Sequence, residues 1–249
     1  MTAANKTVVL ITGANRVGIG FELVKKFLAR DNTVVVAAVR NPNNPSSVSS
    51  LPELPHGAES SLLVIKIDSL DNSSTPSSIA SISDRIGHLD LVIANAGVQT
   101  HHGPVSDTPL DQITSHIAIN TVAPIALLQA TKPLLRNATN PKFVVISSSM
   151  GSITDNIPEK FGAYGASKAA VNYLMRKVHL EEEWLTSMVI CPGWTQTDMG
   201  DGAAKTTKFG EQAPVPLEVS ITGVVEEIDG LTRTEKSRFA SYDHIDRPW

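Results

Sequence analysis

The stretch Thr7–Gly20, TVVLITGANRVGIG, decides the fold, because an apolar run leads directly into a glycine-rich turn. The β-branched residues of Thr7–Thr12 predict a buried strand, and Phe21–Ala29 places apolar residues every three to four positions, as a helix does. Glycines between a strand and a helix let the backbone approach a pyrophosphate, whose charge is stabilised at the helix N-terminus. The stretch therefore predicts a dinucleotide-binding loop, with a tight turn that binds no ligand as the alternative.

The same alternation of strand and helix patterns continues along the chain. Runs that are apolar and continuous are typical of strands covered on both faces. Further strands are predicted at Thr33–Val39, Leu62–Ile67, Leu89–Ala94, Phe143–Ser147 and Ser187–Ile190, and further helices at Thr108–Leu135 and Ala163–Trp184. This order predicts a Rossmann-type, doubly wound, mostly parallel α/β sheet with helices on both faces. Because the whole pattern belongs to one sheet, we predict a single domain over residues 1–249, with Asn41–Ser61 as an irregular connection.

The composition excludes several classes of protein. One cysteine in 249 residues permits no intramolecular disulfide, and no cluster of Cys and His has zinc-type spacing, so we expect no metal site. A formal net charge of −4 disfavours nucleic-acid binding, which needs a basic face. No run of about 18 apolar residues occurs, and the first residues do not form a signal sequence. We therefore expect a cytoplasmic protein without a membrane segment.

The end of the second predicted strand indicates which dinucleotide is bound. Enzymes that prefer NAD usually carry a carboxylate there for the ribose 2′-hydroxyl, whereas an arginine accommodates a 2′-phosphate. This chain has Arg40 directly after the strand, with no acidic residue nearby, and Arg16 in the glycine loop offers a second cation. The sequence predicts NADP(H) as the cofactor. It leaves open which of the two arginines dominates, and whether Arg40 is an ordinary solvated side chain.

Tyr164 and Lys168 form the candidate catalytic pair. They lie four residues apart in a predicted helix and so project from one face, and the strand before that helix ends in Ser147-Ser148-Ser149. A nearby ammonium and an oxidised nicotinamide ring both favour the phenolate and are expected to lower the tyrosine pKa from about 10. A serine hydroxyl can donate to a carbonyl oxygen. The set predicts hydride transfer between C4 of a nicotinamide and a carbonyl carbon, with Tyr164 exchanging the proton.

With these motifs in place, the chain resembles the short-chain dehydrogenase/reductase family, in its single-domain form and over essentially its whole length. The resemblance implies catalytic roles for Asn120, Ser148, Tyr164 and Lys168, with Ser148 favoured over its neighbours because Gly151 completes a Ser-x-x-Gly pattern. Together with Arg16 and Arg40, the cofactor-binding residues that it implies are Gly13, Asn15, Gly18, Ile19, Gly20, Asp68, Asn95, Gly97, Tyr164, Lys168, Pro192, Gly193 and Thr197. It also implies a homodimer or homotetramer and a substrate lid over Thr195–Leu217.

Finer features are similar to two groups within the family. The pattern around Tyr164 and the ending Pro248-Trp249 look like the sniffer and C-factor carbonyl reductases, and Asn32–Pro42 is similar to fungal norsolorinic acid ketoreductases. Two positions depart from the family. Four residues rather than three separate Gly13 from Gly18, so that Val17 is one too many, and Ala94 replaces an asparagine.

These features predict an NADPH-dependent ketoreductase or carbonyl reductase that acts on a ketone or aldehyde of a hydrophobic small molecule, and the resemblance to the fungal enzymes implies a setting in secondary metabolism. An apolar substrate wall and ordinary core packing are equally good explanations for Met150, Phe161, Trp194, Met199 and Phe209. The same site also suits a biosynthetic alcohol dehydrogenase, an imine reductase or a cyclase, because a fold does not fix a reaction. The non-enzymatic alternative is an NADP(H)-binding sensor or scaffold.

Overall fold

The computed structural model describes residues 5–15, 18–44, 48, 50–71, 73–155, 157–208 and 210–249. The strands are β1 Thr7–Thr12, β2 Thr33–Val39, β3 Ser61–Lys66, β4 Leu91–Ala94, β5 Lys142–Ile146, β6 Thr186–Cys191 and β7 Arg238–Ser241. The helices are α1 Ile19–Leu28, α2 Ser74–Ile86, α3 Leu110–Ile117, α4 Ala123–Arg136, α5 Gly162–Glu181, α6 Asp198–Ala204 and α7 Leu217–Asp229. A π-helical turn, Ala118–Val122, joins α3 to α4.

The strands form one seven-stranded sheet in the order β3-β2-β1-β4-β5-β6-β7. The pairs of β1 with β2, β1 with β4, β2 with β3 and β6 with β7 are all parallel, with Val8 opposite Val34 and Met188 opposite Arg238. Every residue of β2 is buried, as expected for a strand that is covered on both faces. The prediction of a Rossmann-type parallel α/β fold is therefore confirmed.

The chain divides into two compact units. The first comprises Met1–Ala96, Ile125–Val144 and Trp184–Thr186, and the second comprises Gly97–Pro124, Val145–Glu183 and Ser187–Trp249. Fully buried side chains of β1 and α1, among them Leu10, Ile11, Leu23 and Leu28, form the core of the first unit. In the second unit, Val171, Val189, Ile221 and Phe239 are equally buried. That residues 1–249 form a single domain stays a prediction.

Several elements differ from the sequence pattern. The helix predicted from Thr108 begins at Leu110, because the Thr108 hydroxyl donates to the carbonyl of Pro104 at 2.9 Å instead of capping the helix. The serine-rich sequence around the third strand predicts only weak helices, yet α2 is a regular helix, and Ile79, Ile82 and Ile86 give it a buried apolar face. Neither α7 nor the edge strand β7 was predicted.

The continuous helical segment Leu110–Arg136 is long and apolar enough to cross a membrane by length and composition alone. Core helices of water-soluble proteins pass the same test, and this segment buries the polar side chains of His116, Asn120 and Thr131 completely. The absence of a membrane segment therefore stays a prediction. In the part of the chain that the structure describes, no three His, Cys, Asp or Glu side chains are grouped as metal ligands would be.

Candidate active site

The glycine loop between β1 and α1 is shaped by backbone that leaves no room for side chains. Gly13 has a φ of +69°, and its N–H donates to the carbonyl of Ala38 at 3.0 Å. A Cβ on Gly20 would lie only 2.4 Å from both the Asn95 Nδ2 and the Gly13 carbonyl oxygen. The first and last glycines are thus packed against each other, which is the close approach that a pyrophosphate cradle needs. Arg16 and Val17 lie outside the described residues, so the effect of the longer loop stays untested.

Asn95, which directly follows β4, is hydrogen-bonded to the glycine loop. Its Nδ2 donates to the carbonyl of Thr12 at 2.8 Å and to that of Gly13 at 3.3 Å. In return the Thr12 hydroxyl accepts hydrogen bonds from the backbone N–H groups of Asn95 and Ala96, each at 3.0 Å. The structure therefore gives the Asn95 side chain a positioning role in the cofactor loop. Sequence reasoning missed Thr12, whose only signal is a hydroxyl at the end of an otherwise apolar strand.

Two further predicted cofactor residues follow β2 and β3. Arg40 is exposed directly after β2, and no ion pair joins it to any residue in the described ranges. Asp68 is half-buried after β3, where its Oδ1 accepts from the N–H of Leu70 at 3.1 Å and its own N–H donates to the Ser74 hydroxyl at 2.9 Å. The guanidinium of Arg40 is consequently available to a ligand, whereas the Asp68 carboxylate also shapes its turn.

The predicted catalytic residues all lie in the second unit. Tyr164 and Lys168 lie one turn apart in α5, with the Lys168 Nζ 5.7 Å from the centroid of the Tyr164 ring. The Lys168 Nζ donates to the carbonyl of Ile146, at the end of β5, at 2.8 Å. Ser148 follows two residues later, and its side chain is near enough to the Tyr164 hydroxyl to lower the pKa of the tyrosine. The structure thus brings Ser148, Tyr164 and Lys168 together.

Burial moves the two titratable groups in opposite directions, because it penalises whichever form is charged. Burial raises the pKa of Tyr164 to about 12, although the hydrogen bond to Ser148 opposes the increase. Burial also lowers the pKa of Lys168 to about 8. In the protein alone the pKa of Tyr164 is therefore raised rather than lowered, because desolvation outweighs the effect of Ser148. At neutral pH Tyr164 is a neutral phenol, which suits a proton donor.

Asn120 lies in the π-helical turn, a feature often found at functional sites. Its Oδ1 accepts from the N–H of Val98 at 2.8 Å, and its Nδ2 donates to the Val98 carbonyl and to the Ser167 hydroxyl, each at 2.9 Å. Protein groups therefore occupy both N–H bonds of the amide, and the side chain fixes the segment after β4 onto α5. Gly97, which was also predicted to bind the cofactor, directly precedes Val98.

The loop after β6 carries the remaining predicted residues. Gly193, next to Pro192, has a φ of +78°, and a Cβ there would lie 2.5 Å from the Tyr242 ring. Thr197 is the N-cap of α6, with its hydroxyl accepting from the Gly200 N–H at 3.1 Å. The segment Thr195–Leu217 includes α6, and its function as a lid stays a prediction.

A cavity of about 150 Å³ lies beside Tyr164. Its lining includes Met150, Phe161, Trp194 and Met199, four of the five residues for which the sequence left a substrate wall and core packing equally open. The fifth, Phe209, lies outside the described residues. Thioethers and aromatic rings give the cavity an apolar surface suited to a flat hydrophobic ligand.

Three features define the class of nucleotide-dependent oxidoreductases with a Rossmann-type fold. They are a parallel sheet, a glycine cradle after its first strand, and a buried phenol paired with a lysine. The chain belongs to the short chain dehydrogenase family, whose profile matches residues 7–208. It is 40% identical over 255 residues to the norsolorinic acid ketoreductase of Dothistroma septosporum, covering 99% of this chain and 94% of the relative. The predicted family membership is confirmed.

Two solved structures are similar over nearly the whole chain. The NADPH-bound carbonyl reductase from chicken fatty liver has a TM-score of 0.85 at 27% identity, with 98% of this chain and 94% of that chain covered. The carbonyl reductase Sniffer of D. melanogaster has a TM-score of 0.85 at 24% identity, with 98% and 100% covered, and at that identity the likeness concerns the fold alone.

Proposed function

We propose that this protein is an NADP(H)-dependent ketoreductase that reduces a ketone or aldehyde of a hydrophobic small molecule, with secondary metabolism as its setting. The observation that carries the proposal is the position of Tyr164, which lies near the Ser148 side chain and lines an apolar cavity. A hydrophobic carbonyl compound in that cavity finds a proton donor and a hydrogen-bond donor together. The 40% identity to a norsolorinic acid ketoreductase supports the same reaction class.

The residues around the glycine loop fit the dinucleotide. The closely packed Gly13 and Gly20 leave backbone N–H groups at the start of α1 for a pyrophosphate, and Arg40 offers a cation to a ribose 2′-phosphate. When bound, NADPH supplies the hydride that reduces the carbonyl carbon. Replacing Arg40 by Ala is expected to lower the preference for NADPH over NADH by about tenfold, because a charge-assisted bond is lost. An unchanged preference would leave 2′-phosphate recognition to Arg16.

The chain's own groups then handle the carbonyl oxygen. The Ser148 hydroxyl donates to that oxygen and polarises the bond, and Tyr164 gives its proton to the oxygen as negative charge develops there. Lys168, while charged, favours the phenolate that this transfer leaves behind. That Ser148, Tyr164 and Lys168 all belong to the second unit supports their acting together on one carbonyl oxygen.

The direct test is NADPH oxidation, followed by absorbance, with a panel of aryl ketones and aldehydes, and identification of the alcohol product. We expect turnover of at least one hydrophobic ketone with one alcohol formed per NADPH consumed. NADPH binding measured by calorimetry serves as the control. Binding without oxidation across the whole panel would contradict the proposal and favour a sensor or scaffold.

We further propose that the protein forms a homodimer or homotetramer through α5 and acts in the cytoplasm, without binding nucleic acid or a membrane. Tyr173 and Leu180, seven residues apart in α5, are 65% and 63% exposed, which supports the use of this helix for self-association. Light scattering coupled to gel filtration tests the assembly, and Leu180→Glu is expected to yield monomers. Fluorescence microscopy of a tagged chain tests the location.

A further inference from the structure

Gln99 stands out because it is one of the few polar residues that line the mainly apolar cavity beside Tyr164. The cavity is lined by Met150, Ile157, Phe161, Trp194 and Met199 among others, and its polar lining residues besides Tyr164 are Gln99, Ser149 and Glu159. The reaction described above uses none of these three. A polar group in an apolar pocket commonly fixes the orientation of a ligand.

The orientation of the Gln99 amide is set by its neighbour. The Gln99 Nε2 donates to the backbone carbonyl of His101 at 2.9 Å. A carbonyl can only accept, so the nitrogen of the amide must face it and the oxygen, Oε1, must lie on the other side. Within the described ranges no residue donates to this Oε1. The amide therefore presents an unused hydrogen-bond acceptor.

The backbone on either side of Gln99 is held firmly. Asn120 binds both the N–H and the carbonyl of Val98, and the Thr100 N–H donates to the His116 Nε2 at 3.2 Å. The His116 Nδ1 lies 2.6 Å from the carbonyl of Gln112, which can only accept. His116 therefore carries its proton on Nδ1 and accepts with Nε2. Because these hydrogen bonds are already formed in the protein without a ligand, the Gln99 segment loses little conformational freedom when its amide binds a ligand.

We propose that Gln99 is a specificity-determining residue whose Oε1 accepts a hydrogen bond from a hydroxyl group of the ketone substrate, with His116 and Asn120 as its positioning residues. The inference rests on the proposed ketoreductase function and specifies its substrate class, a hydrophobic ketone that also carries a hydroxyl. An ether or an unsubstituted ring in the same place leaves the acceptor without a partner.

The experiment compares matched ketones on the wild-type protein, on Gln99→Met and on Glu159→Gln. The probes are ortho-, meta- and para-hydroxyacetophenone, the three methoxy isomers, and acetophenone. We expect wild-type kcat/KM for at least one hydroxy isomer to exceed that for its methoxy partner and for acetophenone by about 3- to 10-fold, the value of one net hydrogen bond. Gln99→Met should abolish this ratio while acetophenone turnover stays within about twofold, and Glu159→Gln should keep it.

Other outcomes overturn the inference. A ratio that survives in Gln99→Met excludes the role of Gln99, and a ratio lost only in Glu159→Gln assigns the hydroxyl to that carboxylate. If no hydroxy isomer is a better substrate than its methoxy partner for the wild-type protein, Gln99 does not accept a hydrogen bond from the substrate.

Binding is measured in parallel, so that failure of the inference and failure of the proposed function can be told apart. Quenching of tryptophan fluorescence in the presence of NADP⁺ gives the Kd of each probe, because Trp194, one of the three tryptophans, lines the cavity. If the wild-type protein binds hydroxy probes more tightly, Gln99→Met loses this preference and no probe is reduced, the ketoreductase function is contradicted and the role of Gln99 is supported. If probes are reduced without any preference for a hydroxyl group, the ketoreductase function is supported and the role of Gln99 is contradicted. Thermal melting of both variants establishes that they are folded.

Discussion

In the glycine loop after β1 the decisive quantity is space, whereas around Tyr164 it is the removal of water from ionisable side chains. Gly13 and Gly20 approach so closely that a single methyl group would collide with backbone. At Tyr164 and Lys168 it is burial that matters, because it moves their pKa values to about 12 and about 8. The comparison teaches that substitutions in the loop should change binding of the cofactor, while substitutions around Tyr164 should change the chemical step and its pH dependence.

The largest effect is expected for Tyr164→Phe, which keeps the ring and removes the proton donor. Loss of a general acid lowers kcat by about 10²–10⁴-fold, and NADPH affinity should stay within about threefold of the wild type. Single-turnover kinetics and calorimetry measure the two quantities. A large loss of NADPH affinity in this variant would contradict the view that the glycine loop determines cofactor binding and the surroundings of Tyr164 determine the chemical step.

Gly20→Ala tests the role of space in the glycine loop. Its Cβ would lie 2.4 Å from the Asn95 Nδ2 and the Gly13 carbonyl oxygen, so the loop must shift at a cost of about 1–3 kcal/mol. We expect NADPH affinity to fall by roughly 10- to 100-fold, with kcat at saturating NADPH largely retained.

The matched control is Gly202→Ala in α6, where a Cβ meets nothing within 4 Å. This substitution should leave NADPH affinity unchanged and raise the free energy of unfolding by up to about 1 kcal/mol through helix propensity. Equal effects of the two substitutions on affinity would show that space in the loop is not decisive.

The pH dependence of reduction should report Lys168. Its ammonium loses its proton as the pH rises through about 8, whereas Tyr164, with a pKa of about 12, stays protonated there. We therefore expect kcat/KM for acetophenone to fall as the pH rises through about 8. Lys168→Arg, whose guanidinium stays charged, should lack this decline. A decline of the same shape in both proteins would assign it to another group.

The smallest effect concerns stability of the second unit. Burial and the nearby Arg233 lower the pKa of His179 below its ordinary 6.5. The unfolded chain then binds more protons than the folded one, so stability falls as the pH falls through 6.5. We expect a small decrease in Tm, which His179→Leu should remove and His56→Gln, at an exposed histidine, should not. An identical pH dependence in His179→Leu would contradict this.

Regular elements and local motifs could be predicted from the sequence because they depend on neighbours in the chain. The strands β1 and β2 have the bounds that their apolar runs predict, and Tyr164 and Lys168 are placed by helical spacing alone. The positions that could not be predicted depend on distant partners. Thr12 is tied to Asn95, 83 residues away, and α2 is helical although serine dominates its sequence.

The sequence by itself determined the parallel sheet, the glycine loop and the family, since strand and turn patterns and four-residue spacing are local properties of the chain. Only the tertiary structure decided the charge states of Tyr164 and Lys168 and the hydrogen bonds that hold the segment around Gln99. Burial depends on the whole fold, and it makes Tyr164 a phenol where neighbouring charge alone predicts a lowered pKa. The same holds for Gln99, whose free acceptor follows from contacts with His101 and from the anchoring of its neighbours by His116 and Asn120.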